Sequence, residues 1–199
     1  MSASSAEMVR TLGWDVRRGT AGMMLFILTE ALLFVSLFFS YYYLARQQLQ
    51  WPLGDPPKLM LALIMLIVLL VSSGVVEWGR RQGRAGRDAM ARLSLLITIV
   101  LGIAFLVLQS FEYRNHLRSL TPTQNSYGSI FYTITTFHGA HIVMGLLMLT
   151  YALILPKREP TDRPPHRPHH NAAIYWHFVD LVWVVIVALL YVAPNIHTS

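Results

Sequence analysis

At 199 residues, the chain is 54% hydrophobic and only 13% charged, about half the charged share of a soluble domain. Its mean hydropathy of +0.46 excludes a single soluble core. The absence of cysteine excludes disulfides, thiolate metal sites, iron–sulfur clusters and covalent c-type haem attachment. The net charge of +6 calls for no nucleic-acid partner, because Lys and Arg of membrane proteins accumulate in cytoplasmic loops.

No alternation of period two is sustained, as a β-barrel would require. Long apolar runs instead predict an all-α, polytopic membrane protein. Met1 to Gly19 is a polar tail with Arg10, Arg17 and Arg18. Five apolar spans follow, at 20–44, 57–79, 91–114, 127–155 and 172–194. The first is too long for the h-region of a signal peptide and reads as a retained helix. Between the spans lie the turn-rich Trp51 to Pro57, an Arg-rich loop from Arg80 to Arg92, Thr121-Pro122-Thr123, and a proline-rich loop from Pro156 to His170. No repeat is visible. The expected organisation is a cytoplasmic tail, 1–19, and a single five-helix transmembrane domain, 20–199.

Basic residues set the expected orientation. Twelve fall in the tail, the Arg80–Arg92 loop and the Lys157–Arg167 loop, against four (Arg46, Lys58, Arg114 and Arg118) on the other side. The positive-inside rule then predicts a cytoplasmic N-terminus and an outside C-terminus. Tyr41, Tyr42, Tyr43 and Trp51 near one end, with Trp78, Tyr175 and Trp176 near the other, are expected to form interfacial aromatic belts.

Several polar residues inside the spans could carry chemistry. Glu30 lies about 15 Å into the first span, near the bilayer centre, where a carboxyl must be neutralised or hydrogen-bonded. It is either a proton-relay carboxyl or a neutral acid bonded to a neighbouring helix. His138 and His141 in F-H-G-A-H share a helix face and reach a similar depth, so they are the expected partners of Glu30. Two ligands on one helix cannot bind both faces of a haem, and His177, the remaining span histidine, lies far from His138 in depth. His177 and Asp180 stand at i and i+3 and read as a local hydrogen-bonded pair. Glu112 lies near the outer end of the third span, and Glu77 near the inner end of the second. His166, His169 and His170 cluster with Arg163 and Arg167. They form either a proton-collecting surface group or a plain polar linker. The residues by themselves contain no Walker loop, no nucleophile with a base and no metal cage.

Four motifs carry a resemblance. F-I-L-T-E-A-L-L-F around Glu30, L-Q-S-F-E-Y at Leu108 to Tyr113, F-H-G-A-H at Phe137 to His141, and Y-W-H-F-V-D-L-V-W at Tyr175 to Trp183 resemble subunit III of haem–copper terminal oxidases. The likeness runs from about Gly22 to Tyr191 and is to the five-helix form of the family. It implies a subunit with no haem or copper of its own, those centres lying in subunits I and II. It also implies packing on subunit I, structural phospholipids, support of proton uptake and of the durability of the catalytic subunit, and an inward N-terminus. Glu30, Glu112, His138, His141, His177 and Asp180 would form a buried polar network fixing the bundle. The expected setting is a bacterial plasma membrane, with a respiratory supercomplex as a further partner. Competing readings are a quinol-oxidase subunit III, a nitric-oxide-reductase accessory subunit, and a stand-alone proton channel or transporter. A transporter would more often show an internal repeat or broken helices.

Overall fold

The computed structural model describes residues 3–49, 51–52, 59–116, 121–123, 125–155 and 167–194, with backbone alone for 3–18 and 167–168. The described residues form five helices: α1 (Ala3–Arg46), α2 (Leu59–Arg84), α3 (Asp88–His116), α4 (Ser126–Ile154) and α5 (Arg167–Ile186), the last continuing as a π-helical turn over Val187–Val192. Each holds a stretch of 24 to 29 residues apolar enough to cross a membrane. At 1.5 Å per residue even the shortest spans about 36 Å, enough for a hydrocarbon core of about 30 Å. Helices are the natural solution, because every backbone amide is satisfied within its own segment. The protein is an all-α, multi-pass membrane protein.

The helices extend beyond the spans read from hydropathy. α1 runs back through the polar segment to Ala3, although only Gly19–Arg46 is apolar enough to cross. The Arg-rich segment expected as a loop is mostly helix. Arg80, Arg81 and Arg84 end α2, Arg92 lies in α3, and the chain turns at Ala85–Arg87. Gly86 makes that turn possible with φ of 76°, a conformation that glycine adopts without a Cβ penalty. The histidine-bearing helix, α4, starts at a side-chain cap, with Asn125 Oδ1 accepting from the Gly128 amide at 2.7 Å, the usual way to satisfy an orphan donor.

α2 pairs closely with α3, and α4 with α5, while α5 also packs on α2 and α1. α1 is peripheral and rests on α4 and α5. The core is aromatic. Trp176 is fully buried and fits where Gly102 of α3 and Gly145 of α4 leave room; a Cβ at either glycine would lie 2.7 to 2.8 Å from its ring. Its Nε1 donates to Ser72 Oγ of α2 at 2.9 Å, so one side chain of α5 ties three other helices. Tyr175 and Trp176 are both fully buried, which corrects their expected place in an interfacial belt. Trp78, at 41% exposure, has the outward position such a belt needs. A second aromatic file runs from Tyr41 to Trp51, Tyr127, Phe131 and Tyr191, with ring centroids 5.1 to 6.2 Å apart, within the range of favourable aromatic pairs.

Candidate functional site

α1 and α4 bring Glu30 and His141 together. Glu30 Oε2 lies 2.8 Å from His141 Nε2, and His141 Nδ1 lies 2.6 Å from the Phe137 carbonyl oxygen. The carbonyl accepts only, so Nδ1 carries a proton. Nε2 then either accepts from a protonated Glu30 or donates, as imidazolium, to a Glu30 carboxylate. Both arrangements hold one proton between the two residues and are electrically neutral as a pair, which suits the depth at which the pair lies. Phe34, 2% exposed, covers the imidazole with ring centroids 4.8 Å apart. The Glu30 side chain remains 22% exposed.

His138 does not share Glu30. It is fully buried and stacked on Trp183 at 4.9 Å, with Phe105 at 5.6 Å edge-on. Neither ring nitrogen has a hydrogen-bond partner among the described residues. Three helical residues turn the chain to about 60° short of a full circle, enough to aim His141 at α1 and His138 into the α3–α5 aromatics.

At the Arg-rich end, His177 and Asp180 are not hydrogen-bonded to each other as expected. His177 Nδ1 meets Ser73 Oγ of α2 at 2.5 Å, and its Nε2 lies 3.9 Å from Glu77. Glu77 is held by Arg80 at 2.7 and 2.8 Å and by Arg81 at 3.1 Å. Asp180, 4% exposed, has Ser73 as its polar neighbour, yet neither carboxyl oxygen has a hydrogen bond of proper geometry among the described residues. His170 is half-buried, its Nδ1 3.5 Å from Arg80 Nη1. His169 lies beside it at the start of α5, and His166 falls outside the described residues.

Glu112 is buried near the other end, close to Tyr132 and Tyr191. On the same helix, Gln109 donates to the Thr135 carbonyl at 2.7 Å and to the Tyr113 hydroxyl at 3.1 Å, and Tyr113 donates to Thr135 Oγ1 at 2.8 Å. The six candidate residues therefore lie in distinct places: a Glu30–His141 pair, an isolated His138, a Ser73–His177–Asp180 group and Glu112. Ser73 escaped the sequence reading, and Gln109 entered it only as a letter of the L-Q-S-F-E-Y motif, because neutral polar side chains in apolar runs carry no charge signal. Their cross-helix partners, His177 for Ser73 and the Thr135 carbonyl for Gln109, exist only once the helices pack. Among the described residues, no three His, Asp or Glu side chains converge as a metal site would require.

The family described as cytochrome c oxidase subunit III matches residues 8–194. The chain belongs to the cytochrome c oxidase subunit III family. Curated relatives include cytochrome c oxidase subunit 3 of a Synechocystis species, 35% identical over 85% of this chain and 73% of that protein. The corresponding subunits of Drosophila yakuba and Myxine glutinosa are 32% and 34% identical, each over 85% of this chain and 67% of the relative. Both the Glu30–His141 pair and the Ser73–His177–Asp180 group thus lie inside the region that defines a subunit III. Membership of that family also means that the chain works in a complex with other oxidase subunits.

Proposed function

We propose that this chain is the subunit III of a proton-pumping haem–copper oxidase that passes electrons from cytochrome c to oxygen, and that it is itself non-redox. The observation that carries the reading is the family match across nearly the whole chain. In this reading it packs on subunits I and II, which hold the haem and copper, and keeps structural phospholipids in place. It also sustains proton uptake and the lifetime of the catalytic subunit. The setting is a bacterial plasma membrane, with the N-terminus in the cytoplasm, as the distribution of basic residues favours. The neutral Glu30–His141 bridge between α1 and α4 fixes the peripheral helix at the depth where lipid offers no alternative partner. The histidines at the Arg-rich end act as surface buffers, and the Arg cluster there attracts anionic headgroups.

The deciding experiment is mild-detergent affinity purification of the tagged chain, with a reduced-minus-oxidised spectrum of what accompanies it. Stoichiometric haem and copper on larger partner chains are expected. A coloured chain without partners overturns the non-redox assignment, and stoichiometric partner chains that carry neither haem nor copper overturn the oxidase assignment. In the same preparation, Glu30→Ala should lower recovery of the assembled complex while leaving the haem spectrum of the surviving complex unchanged.

A further inference from the structure

Asp180 has no evident structural use. It sits on α5 one turn beyond His177, on the same face, and that face meets Ser73 of α2. Two buried carboxyl oxygens without hydrogen bonds are costly unless a proton or a partner reaches them. The neighbours supply a route. Glu77, one turn beyond Ser73 on α2, is a quarter exposed at the Arg-rich end and stands 3.9 Å from His177 Nε2. The opposite ring nitrogen is in hydrogen-bond contact with Ser73, and Ser73 is the hydroxyl beside Asp180.

We infer that Glu77, His177, Ser73 and Asp180 form a proton thread between α2 and α5, with Asp180 as a buried proton-binding site that exchanges with the Arg-rich face. The transfer balances at every link. His177 Nε2, on a side chain 39% exposed, takes a proton from solvent hydronium at the Glu77 end and Nδ1 releases one to Ser73 Oγ, while the original Ser73 hydroxyl proton passes to an Asp180 carboxylate oxygen. The imidazole and the hydroxyl end with the protons they began with, in the other tautomer and the other rotamer, and reset by ring and hydroxyl rotation. The imidazole suits this work because its two nitrogens face different partners, and a hydroxyl both donates and accepts.

Among the described residues, the charged surroundings are confined to one end. Arg80, Arg81 and His170 stand with Glu77 around the outer side of His177. Toward α4 and α1, the Glu30–His141 pair is closed on itself and neutral. Beyond Asp180 its face of α5 continues through Trp183 and Val187, and the Ser73 face of α2 through Leu69, all of them buried hydrophobic residues. The thread therefore has one mouth and ends at Asp180. It is a site that loads and unloads from a single side, not a path across the bilayer.

The full chain, labelled with 13C-aspartate and reconstituted in phosphatidylcholine vesicles, tests this by infrared spectroscopy. Asp180 is the sole aspartate in the interior of a span. Its protonated carboxyl band, identified by its loss in Asp180→Asn or by the isotope shift, should move within the mixing time when D2O is added. In Ser73→Ala and in His177→Phe the same shift should be roughly 100-fold slower or more, the scale on which one positioned proton-transfer group acts. A variant that merely loosens the bundle exchanges faster, so the sign separates a cut thread from a damaged fold. Equal or faster exchange in both variants overturns the inference, as does a carboxyl that stays ionised at every pH at which helix content is retained.

Discussion

α1 and α5 have nearly the same hydropathy, 2.2 and 2.1 over their most apolar windows, yet only 6% of that window is buried in α1 against 56% in α5. In water such a difference would be untenable, because exposed apolar area drives further association. In a bilayer lipid solvates the apolar side chains of α1, and burial follows packing shape and polar contacts instead. α5 carries the shapes: Trp176 between two glycines, Trp183 against His138 and Phe105, and Tyr191 on Phe131. Among its described residues α1 offers one polar tie to another helix, Glu30 to His141, and two buried rings, Phe34 and Tyr41. Hydropathy selects what enters the membrane; complementarity selects what lies in the centre.

Substitutions on the two helices can break this contrast. The largest effect belongs to Trp176→Ala. It should destabilise the chain by about 3–5 kcal/mol, the scale of a deleted core aromatic, measured by unfolding of the detergent-solubilised chain. A loss as small as that of a lipid-facing residue would end the claim that α5 is the keystone. Next, Gly145→Ala and Gly102→Ala should each cost about 1–3 kcal/mol through overpacking against the Trp176 ring. The double substitution Gly145→Ala with Trp176→Leu should recover part of that loss, since the clash and its target are removed together.

On α1 the effects are smaller and chemically selective. Glu30→Ala should cost about 1 kcal/mol, the usual scale of an interhelical hydrogen bond in a membrane. Glu30→Gln separates the two proton arrangements of the bridge. Its amide donates to a neutral His141 Nε2 and so should retain most of the stability if Glu30 is the protonated partner. It should be as damaging as alanine if His141 is the imidazolium. The 15N chemical shifts of His141 in the unaltered chain must agree with whichever result is obtained. Smallest of all, Leu32→Ala on the exposed face of α1 (Leu32 is 59% exposed) should change the isolated chain by less than about 0.5 kcal/mol. A larger loss would mean that α1 packs within the chain more closely than its exposure implies.

Particular residues show where sequence reasoning ended. The count of five helices and the approximate limits of their apolar spans followed from apolar length and from the proline and glycine breaks, because a bilayer enforces both. The pairing of an α1 carboxyl with an α4 histidine was also legible, since depth is readable from position along a span and few polar residues share it. The choice of His141 over His138 was not. Both stand on one face of α4, and a rotation of about 60° decides which meets Glu30. Tyr175 and Trp176 were misplaced because aromatic residues near a span's end look like an interfacial belt, whether they point to headgroups or into glycine clefts on other helices. His177 and Asp180 looked like a local pair for a similar reason: spacing along one helix is visible, but Ser73, a hydroxyl 104 residues away on α2, is not.

By itself, then, the sequence determined the membrane-spanning class, the number of helices and the position of each polar group along its span. Those properties depend on one residue's chemistry and its distance from a span's end. The tertiary structure decided which helix is central, which histidine is paired and which is merely stacked, and that Asp180 faces α2. Those properties depend on helix rotation, and rotation is set by the fit of side chains such as Trp176 into spaces that belong to other segments.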